Sequence, residues 1–125
     1  MCRVLLIQNN TIFVCVFKPK LAYDIPAISQ SLDLIHLMAY DLHGGWETQI
    51  GHHSQFTAPP GETEWYSTDY AVNMWLDRGC PPEKLVMGLP AYGRGFKVSG
   101  NTFGLGTPTT GTCAAGRFTG ENGFR

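Results

Sequence analysis

An apolar run over residues 34–40, followed at once by a carboxylate and a glycine turn, constrains the fold more than any other segment. Seven residues without sustained polar alternation predict a buried strand that is covered on both faces, as in a parallel sheet. The alternation of a strand then places His36, Met38 and Tyr40 on one face, opposite a face that is small and purely apolar. We therefore expect functional groups on the face of Tyr40, with Asp41 at the end of the strand.

Two short helices are predicted around this run. Asp24 and Pro26 stand where a helix begins, because an Asp side chain caps free amides and Pro fits the first turn. A second helix is predicted to begin at Thr68, with a hydroxyl cap, and to end at Gly79. Between the run and this helix, residues 52–64 are polar and contain Pro-Pro-Gly, which indicates an irregular segment.

A second apolar run, over residues 85–94, also ends in polar groups and predicts a second buried strand. Strand, helix and strand in this order form a βαβ unit, whose strands lie parallel. The carboxyl ends of parallel strands meet at one edge of the sheet, where α/β proteins bind ligands. We therefore expect Tyr40 and Asp41 to share this edge with Tyr92 and Arg94.

Charge and composition argue against several classes of partner. Nine basic against ten acidic side chains create no field for nucleic acid or for an anionic membrane. No apolar stretch is long enough to cross a bilayer, and residues 1–17 make a poor signal peptide. Fifteen glycines and eight prolines indicate a loop-rich chain whose loops are candidates for binding.

From Val98 onward the sequence shows no periodic pattern, and no helix or strand is predicted there.

Neither a metal nor a cofactor is expected. The four cysteines are Cys2, Cys15, Cys80 and Cys113. They form no Cys-x-x-Cys pair, and disulfides remain possible without a readable pairing. His43, His52 and His53 lack the spacing of a preorganised metal site. Asp41 and Glu47 make a poor acid and base pair, because both lie near one flexible turn that does not fix their separation.

Three linked segments carry a resemblance to a known family. They are residues 32–47 with Met38-Ala39-Tyr40-Asp41 and His43-Gly44-Gly45-Trp46, residues 83–94 with Gly88-Leu89-Pro90-Ala91-Tyr92-Gly93-Arg94, and Gly104-Leu105-Gly106-Thr107-Pro108. In order and spacing they resemble the sixth strand, the seventh strand and the start of the inserted α+β domain of family-18 glycoside hydrolases. This family comprises chitinases and chitinase-like lectins.

The resemblance implies an α/β fold, namely a fragment of a TIM (β/α)₈ barrel with the beginning of an inserted α+β subdomain. A whole barrel needs roughly 250 residues, so only part of one would lie here. We expect residues 21–97 to be the partial barrel and residues 98–125 the start of the insertion. Residues 1–20 match nothing in the family and are interpreted as an unmatched leader that arises from the gene model.

The resemblance also implies a chitinase that hydrolyses β-1,4-linked N-acetylglucosamine polymers, with retention, through attack by the substrate's own acetamido oxygen. The family's Asp-x-x-Asp-x-Asp-x-Glu motif, which supplies the general acid, does not occur in this sequence. General acid catalysis contributes typically ~10²–10⁴-fold, so we expect the chain to be inactive alone. The alternative is a catalytically inactive lectin that binds chitin oligosaccharides. Either protein would be secreted, as the family is.

Six sugar-contacting residues follow from the resemblance: Met38, Tyr40, Asp41, Trp46, Tyr92 and Arg94. Tyr40 would hold the acetamido carbonyl, Met38 would line the pocket, and Asp41 would contact sugar hydroxyls, so that Tyr40 and Asp41 support catalysis by positioning. Trp46 would offer a flat face to a sugar ring, while Tyr92 and Arg94 would bind across the cleft. The competing interpretations are a turn or helix cap for Asp41 and a cover over the core for Trp46.

Overall fold

The computed structural model of the chain describes residues 5–7, 10–16, 23–114 and 122–123. The strands are β1 (Leu5–Ile7), β2 (Thr11–Cys15), β3 (Leu34–Met38), β4 (Leu85–Met87), β5 (Tyr92–Gly93), β6 (Phe96–Val98), β7 (Thr109–Thr112) and β8 (Asn122–Gly123). The helices are α1 (Ile25–Ser31) and α2 (Thr68–Asp77), and short 3-10 turns cover Glu64–Tyr66 and Pro82–Lys84. The chain is therefore a mixed α/β structure.

The largest sheet has the strand order β1-β2-β3-β4. β1 and β2 are antiparallel, whereas β2, β3 and β4 run parallel. In this register Ile35 of β3 aligns with Ile12 on one side and with Leu85 on the other. Because α2 lies between β3 and β4 in the chain, the predicted strand, helix and parallel strand are confirmed.

Both helices begin where the sequence predicts. Asp24 Oδ1 accepts a hydrogen bond from the amide of Ala27 at 3.2 Å, and Ser67 Oγ accepts one from the amide of Tyr70 at 3.3 Å. Gly79 follows the end of α2 with φ +92°, a left-handed conformation that suits glycine. Local capping residues therefore set the ends of both helices.

The end of α1 is held by a side chain from far along the chain. Lys84 Nζ donates to the carbonyl oxygens of Ser29 at 2.7 Å and Leu32 at 2.9 Å. The last carbonyls of a helix have no partner within the helix, and a lysine satisfies them while opposing the negative end of the helix dipole. This contact fixes α1 against the segment that enters β4.

The core lies between the sheet and the two helices. Its buried side chains include Ile12, Val14, Ile25, Ile35, Leu37, Ala71, Met74 and Trp75. On β3 the buried positions alternate with half-buried His36 and Met38, as the period of a strand requires. Each large apolar side chain buried in this way contributes roughly 1.5–3 kcal/mol.

Two expectations about burial are wrong. The sequence predicts one buried strand over residues 85–94, but β4 covers only the first three of these residues and lies at an edge of the described sheet. Val86 and Met87 are accordingly 37% and 43% exposed. The Tyr40 face of β3 is likewise half-buried rather than covered. An apolar run does not reveal how many strands pair beyond it, so it cannot separate an edge strand from a central one.

The expectation of no regular element after Val98 is also wrong. β6 and β7 form an antiparallel pair, and β7 consists of threonines and a glycine without apolar alternation. The segment before β7 also bonds to residues 47–50, with the amide of Thr109 donating to Thr48 at 2.8 Å and that of Gly106 to Ile50 at 2.8 Å. Backbone pairing therefore joins this hairpin to the turn that follows β3.

β1 and β2 lie within residues 1–20, for which no strand was predicted. Just before β2, Asn10 has φ +52°, a left-handed conformation that Asn tolerates. The division of the chain at residues 20 and 97 stays a prediction, and residues 17–20 lie outside the described part. Within the described ranges, neither helix has the length and apolarity needed to cross a membrane.

Candidate functional site

The polar groups that follow β3 and β4 converge on one carboxylate oxygen. Tyr92 Oη donates to Asp41 Oδ1 at 2.6 Å, and Arg94 Nε donates to the same oxygen at 2.8 Å. Arg94 Nη2 also lies 2.8 Å from Asp41 Oδ1. The side chains of Tyr92 and Arg94 thus meet Asp41, although Tyr92 lies in β5 and not at the end of β4. Charge-assisted bonds of this length are about twice as strong as bonds between neutral groups.

The backbone at Asp41 has an uncommon conformation. Its φ is +60°, in the left-handed region that Asp and Asn enter more readily than other non-glycine residues. The next amide, that of Leu42, donates to the carbonyl of His53 at 2.9 Å, which ties the turn to the irregular segment. Asp41 therefore reverses the chain after β3 and at the same time directs its carboxylate toward Arg94.

Arg94 links the carboxylate to two aromatic rings. Its guanidinium carbon lies 5.1 Å from the ring centroid of Tyr92 and 5.5 Å from that of Trp46. Both distances fit a cation over an aromatic face. The Trp46 side chain is nevertheless 61% exposed. A large flat ring is thus held next to an ion pair while most of its surface stays open to solvent.

Tyr40 joins this cluster through its ring. The rings of Tyr40 and Tyr92 meet edge to face, with centroids 6.1 Å apart. The close approach depends on Gly88, where an added Cβ would lie 2.9 Å from Tyr40 Cε1 and 3.1 Å from the carbonyl of Leu37. Gly88 therefore leaves the space into which the Tyr40 ring packs.

Met38 is the last residue of β3, on the same face as Tyr40 and half-buried. In the parallel pairing it aligns with Cys15, which is disulfide-bonded. Ring contacts and an ion pair thus bring five of the predicted residues into one group, namely Tyr40, Asp41, Trp46, Tyr92 and Arg94. Met38 belongs to this group by its position on the strand.

His53 is a member of the site that sequence reasoning weighed only as a metal ligand. Its Nε2 lies 3.1 Å from the carbonyl oxygen of Tyr92, and the two rings are 5.1 Å apart. Its Nδ1 is buried and lies 3.8 Å from Asp41 Oδ1, too far for a hydrogen bond. In the described part of the chain no three His, Cys, Asp or Glu side chains are grouped as metal ligands. His53 instead supports the backbone of Tyr92.

A second polar cluster lies beneath the turn that carries Trp46. His43, only 7% exposed, places Nδ1 2.7 Å from Glu47 Oε2 and Nε2 2.6 Å from Glu62 Oε1. Its ring stacks on Tyr66 with centroids 4.8 Å apart. Gln55 Nε2 donates to Glu62 Oε2 at 2.7 Å. Glu47 therefore belongs to a different network from Asp41, and the two do not form an acid and base pair.

The irregular segment supplies most of these unpredicted contacts. Within residues 52–64, His53 contacts the carbonyl of Tyr92 and Gln55 bonds to Glu62. Glu62 in turn reaches His43 in the turn after β3. Polar residues in a loop with Pro and Gly show no period, so no sequence signal pairs Glu62 with His43. The end of a predicted strand indicates the sheet edge at which polar groups meet. It does not indicate which loop folds over that edge.

Chemically, the first cluster offers a flat apolar ring beside strong hydrogen-bonding groups. The ring of Trp46, the guanidinium of Arg94 and the carboxylate of Asp41 lie next to each other at one sheet edge. A sugar presents apolar C–H faces and polar hydroxyl edges, and such a combination of ring and charge can contact both. The arrangement suits binding and orientation of a polar ring compound.

Comparison with known proteins agrees with this chemistry. The sequence model of the glycosyl hydrolases family 18 matches residues 8–124. Among curated proteins, the chain is 43% identical over 103 residues to "Probable chitinase 2" of Drosophila melanogaster. That match covers 82% of the chain and 21% of the Drosophila protein. The chain thus spans about a fifth of this relative's length.

Solved structures show the same likeness. The Group IV chitinase of Ostrinia furnacalis in complex with allosamidin is 37% identical with a TM-score of 0.82, over 90% of the chain and 32% of the chitinase chain. Human YKL-39, described as a pseudo-chitinase with retained chitooligosaccharide binding properties, is 32% identical with a TM-score of 0.82. Here the match covers 90% of the chain and 33% of YKL-39. Structures of this kind imply a TIM-barrel family.

Proposed function

The chain belongs to the glycosyl hydrolases of family 18, and we propose from this that it supplies one wall of a cleft that binds chains of β-1,4-linked N-acetylglucosamine. The observation that carries the proposal is the carboxylate of Asp41, bonded to Tyr92 and Arg94 beside the exposed ring of Trp46. Chitooligosaccharide binding by YKL-39, which shares the fold at 32% identity, supports the same ligand class.

In this proposal each residue has a positioning role. The exposed Trp46 ring receives the apolar face of one sugar, and Arg94 and Tyr92 bind hydroxyls next to it. Tyr40 holds an acetamido carbonyl and Met38 lines the pocket below, with Asp41 contacting hydroxyls near the scissile bond. Tyr92 and Arg94 also hold Asp41, so the ligand meets a preformed carboxylate.

The whole protein is proposed to be a secreted chitinase in which substrate-assisted hydrolysis with retention takes place. In that scheme the acetamido oxygen of the substrate attacks the anomeric carbon while a glutamate protonates the leaving oxygen. Residues of this chain orient the acetamido group, and the glutamate would come from a part of the barrel outside this sequence. The match of residues 32–47 and 83–94 to barrel strands six and seven is part of the same proposal.

Binding of the tetramer of β-1,4-linked N-acetylglucosamine to the full chain tests the proposal. By calorimetric titration, Trp46→Ala should bind about 5- to 10-fold more weakly, because a ring stack contributes roughly 0.5–1.5 kcal/mol. Trp65→Ala is the matched control, since Trp65 is 59% exposed but lies in the turn before α2. Equal affinity of the two variants would reject Trp46 as a sugar platform.

The second candidate is a chitinase-like lectin without hydrolytic activity. The specific observation in its favour is the likeness to YKL-39, a pseudo-chitinase. The coding sequence upstream of this chain decides between the two, because a chitinase needs the complete Asp-x-x-Asp-x-Asp-x-Glu motif. The chain by itself should release no product from chitin. Product release above that of a Tyr40→Phe variant would contradict this expectation.

A further inference from the structure

Strand β7 contacts both neighbours of Trp46 in the chain. Thr109 Oγ1 donates a hydrogen bond of 2.6 Å to the carbonyl oxygen of Glu47. On the other side, the backbone of Thr112 lies so close to Gly45 that an added Cβ on this glycine would be 2.5 Å from Thr112 Cα. The residue that carries the exposed ring therefore lies between two residues that one strand contacts.

Trp46 occupies a tight turn. The amide of Glu47 donates to the carbonyl of Gly44 at 3.0 Å, so that Gly45 and Trp46 are the two central residues of the turn. The Trp46 ring folds back over Gly44, where an added Cβ would overlap the ring carbons Cη2 and Cζ3. Because the side chain is 61% exposed, the backbone of the turn largely decides where the ring lies.

Thr109 makes two hydrogen bonds to the residues that follow Trp46. Besides the bond from its hydroxyl to Glu47, its amide donates to the carbonyl of Thr48 at 2.8 Å. The amide bond needs only the backbone and would form with other residues at position 109. The bond to Glu47 needs a side-chain donor, which the Thr109 hydroxyl supplies. This contact is therefore a property of the side chain at position 109.

We propose that Thr109 is a positioning residue for sugar binding, whose hydroxyl fixes the Trp46 turn so that the ring is in place before a sugar binds. The inference rests on the proposed role of Trp46 as a sugar platform. Ordering a mobile side chain on binding lowers affinity, and a ring that is already fixed avoids this cost. The turn after β3 and the hairpin of β6 and β7 thus form one binding unit.

The substitution Thr109→Val tests the hydroxyl alone, because valine keeps the branched shape and removes the hydrogen-bond donor. Calorimetric titration of the full chain with the N-acetylglucosamine tetramer should show about 3- to 10-fold weaker binding, as the loss of one hydrogen bond predicts. Thr109→Ser keeps the hydroxyl and should bind like the wild type. Binding by Thr109→Ser as weak as that of Thr109→Val would overturn the role of the hydroxyl.

Thr110→Val is the matched control on the same strand. Thr110 Oγ1 donates to the carbonyl of Lys97 at 3.2 Å, so this bond lies inside the hairpin and not at the Trp46 turn. We expect this variant to bind the tetramer like the wild type. An equal loss in Thr109→Val and Thr110→Val would overturn the proposal, because the stability of the hairpin would then control binding.

A measurement without sugar reports on the ring itself. The full chain is labelled with 5-fluorotryptophan, and the resonance of Trp46 among its three tryptophans is identified by its absence in Trp46→Phe. In ¹⁹F NMR spectra, Thr109→Val should shift or broaden this resonance and leave those of Trp65 and the buried Trp75 unchanged. An unchanged Trp46 resonance would overturn the proposal, as would a change in all three resonances.

A double-mutant comparison keeps the inference separate from the proposed function. Thr109→Val should weaken binding in the wild type but have little effect in Trp46→Ala, because both changes remove the same sugar contact. Additive losses would overturn the role of Thr109, as would a loss in Trp46→Ala with none in Thr109→Val, and in both cases sugar binding at Trp46 stands. If Trp46→Ala does not change affinity, the proposed function fails and this inference fails with it.

Discussion

Tyr92 Oη donates a hydrogen bond of 2.6 Å to Asp41 Oδ1, joining two residues that lie 51 positions apart. Arg94 approaches the same oxygen with two nitrogens at 2.8 Å. The carboxylate of Asp41 thus links the turn after β3 to the residues that follow β4. A change at Asp41 should therefore alter the site more than it alters the core, to which Asp41 does not belong.

Asp41→Asn should weaken binding of the N-acetylglucosamine tetramer about 10-fold or more. The amide keeps the left-handed backbone accessible but removes the charge that Arg94 faces, and bonds to charged groups contribute roughly 1.5–3 kcal/mol. Calorimetric titration measures the change. Asp33→Asn at the other end of β3 is the control, and an equal loss there would show that the effect is not specific to the cluster.

Arg94→Lys should weaken binding nearly as much as Arg94→Ala does. A lysine cannot place two nitrogens on Asp41 and at the same time lay a flat group over Trp46 at 5.5 Å. We expect a loss of about 5- to 20-fold, from charge-assisted bonds and ring contact together. Arg78→Lys at the end of α2 should bind like the wild type. Wild-type affinity in Arg94→Lys would mean that only the positive charge is needed.

Gly88→Ala should lower stability by about 1–3 kcal/mol, because the new Cβ overpacks the ring of Tyr40. Urea denaturation followed by circular dichroism measures this loss. In a Tyr40→Leu background, where the ring is absent, Gly88→Ala should cost much less. An equal cost in both backgrounds would place the clash at the carbonyl of Leu37 instead.

Lys84→Met should destabilise the fold by about 1–2 kcal/mol. Methionine keeps the apolar stem but leaves the carbonyls of Ser29 and Leu32 without their donor. Lys97→Met on β6 is the matched control, since Lys97 is exposed, and it should change stability by less than about 0.5 kcal/mol. The two variants are compared by their denaturation midpoints, and similar midpoints would refute a cap on α1.

Local signals allowed much of the fold to be predicted. Asp24 and Thr68 mark real helix starts, because capping is decided by neighbours in sequence. Asp41, Tyr92 and Arg94 were expected near one edge from the geometry of parallel strands joined by a crossover, and they do meet, although Tyr92 lies in β5 beyond the end of β4. These inferences needed no knowledge of which loops fold over the site.

Contacts between distant segments could not be predicted in the same way. β7 pairs with β6 through backbone groups, so its threonines and glycine carry no apolar period. His43 meets Glu62 only because the irregular segment folds back across the turn. The edge position of β4, and with it the exposure of Val86 and Met87, depends on which strands lie beyond it.

The pairing of Leu34 with Thr11 and of Leu85 with Ile35 has a kinetic consequence. Neither parallel contact can form until a long stretch of chain has closed into a loop, and closure costs entropy before any contact is gained. A high contact order of this kind slows folding relative to helical domains of similar size. During that delay the apolar residues of β3 are open to association with other chains.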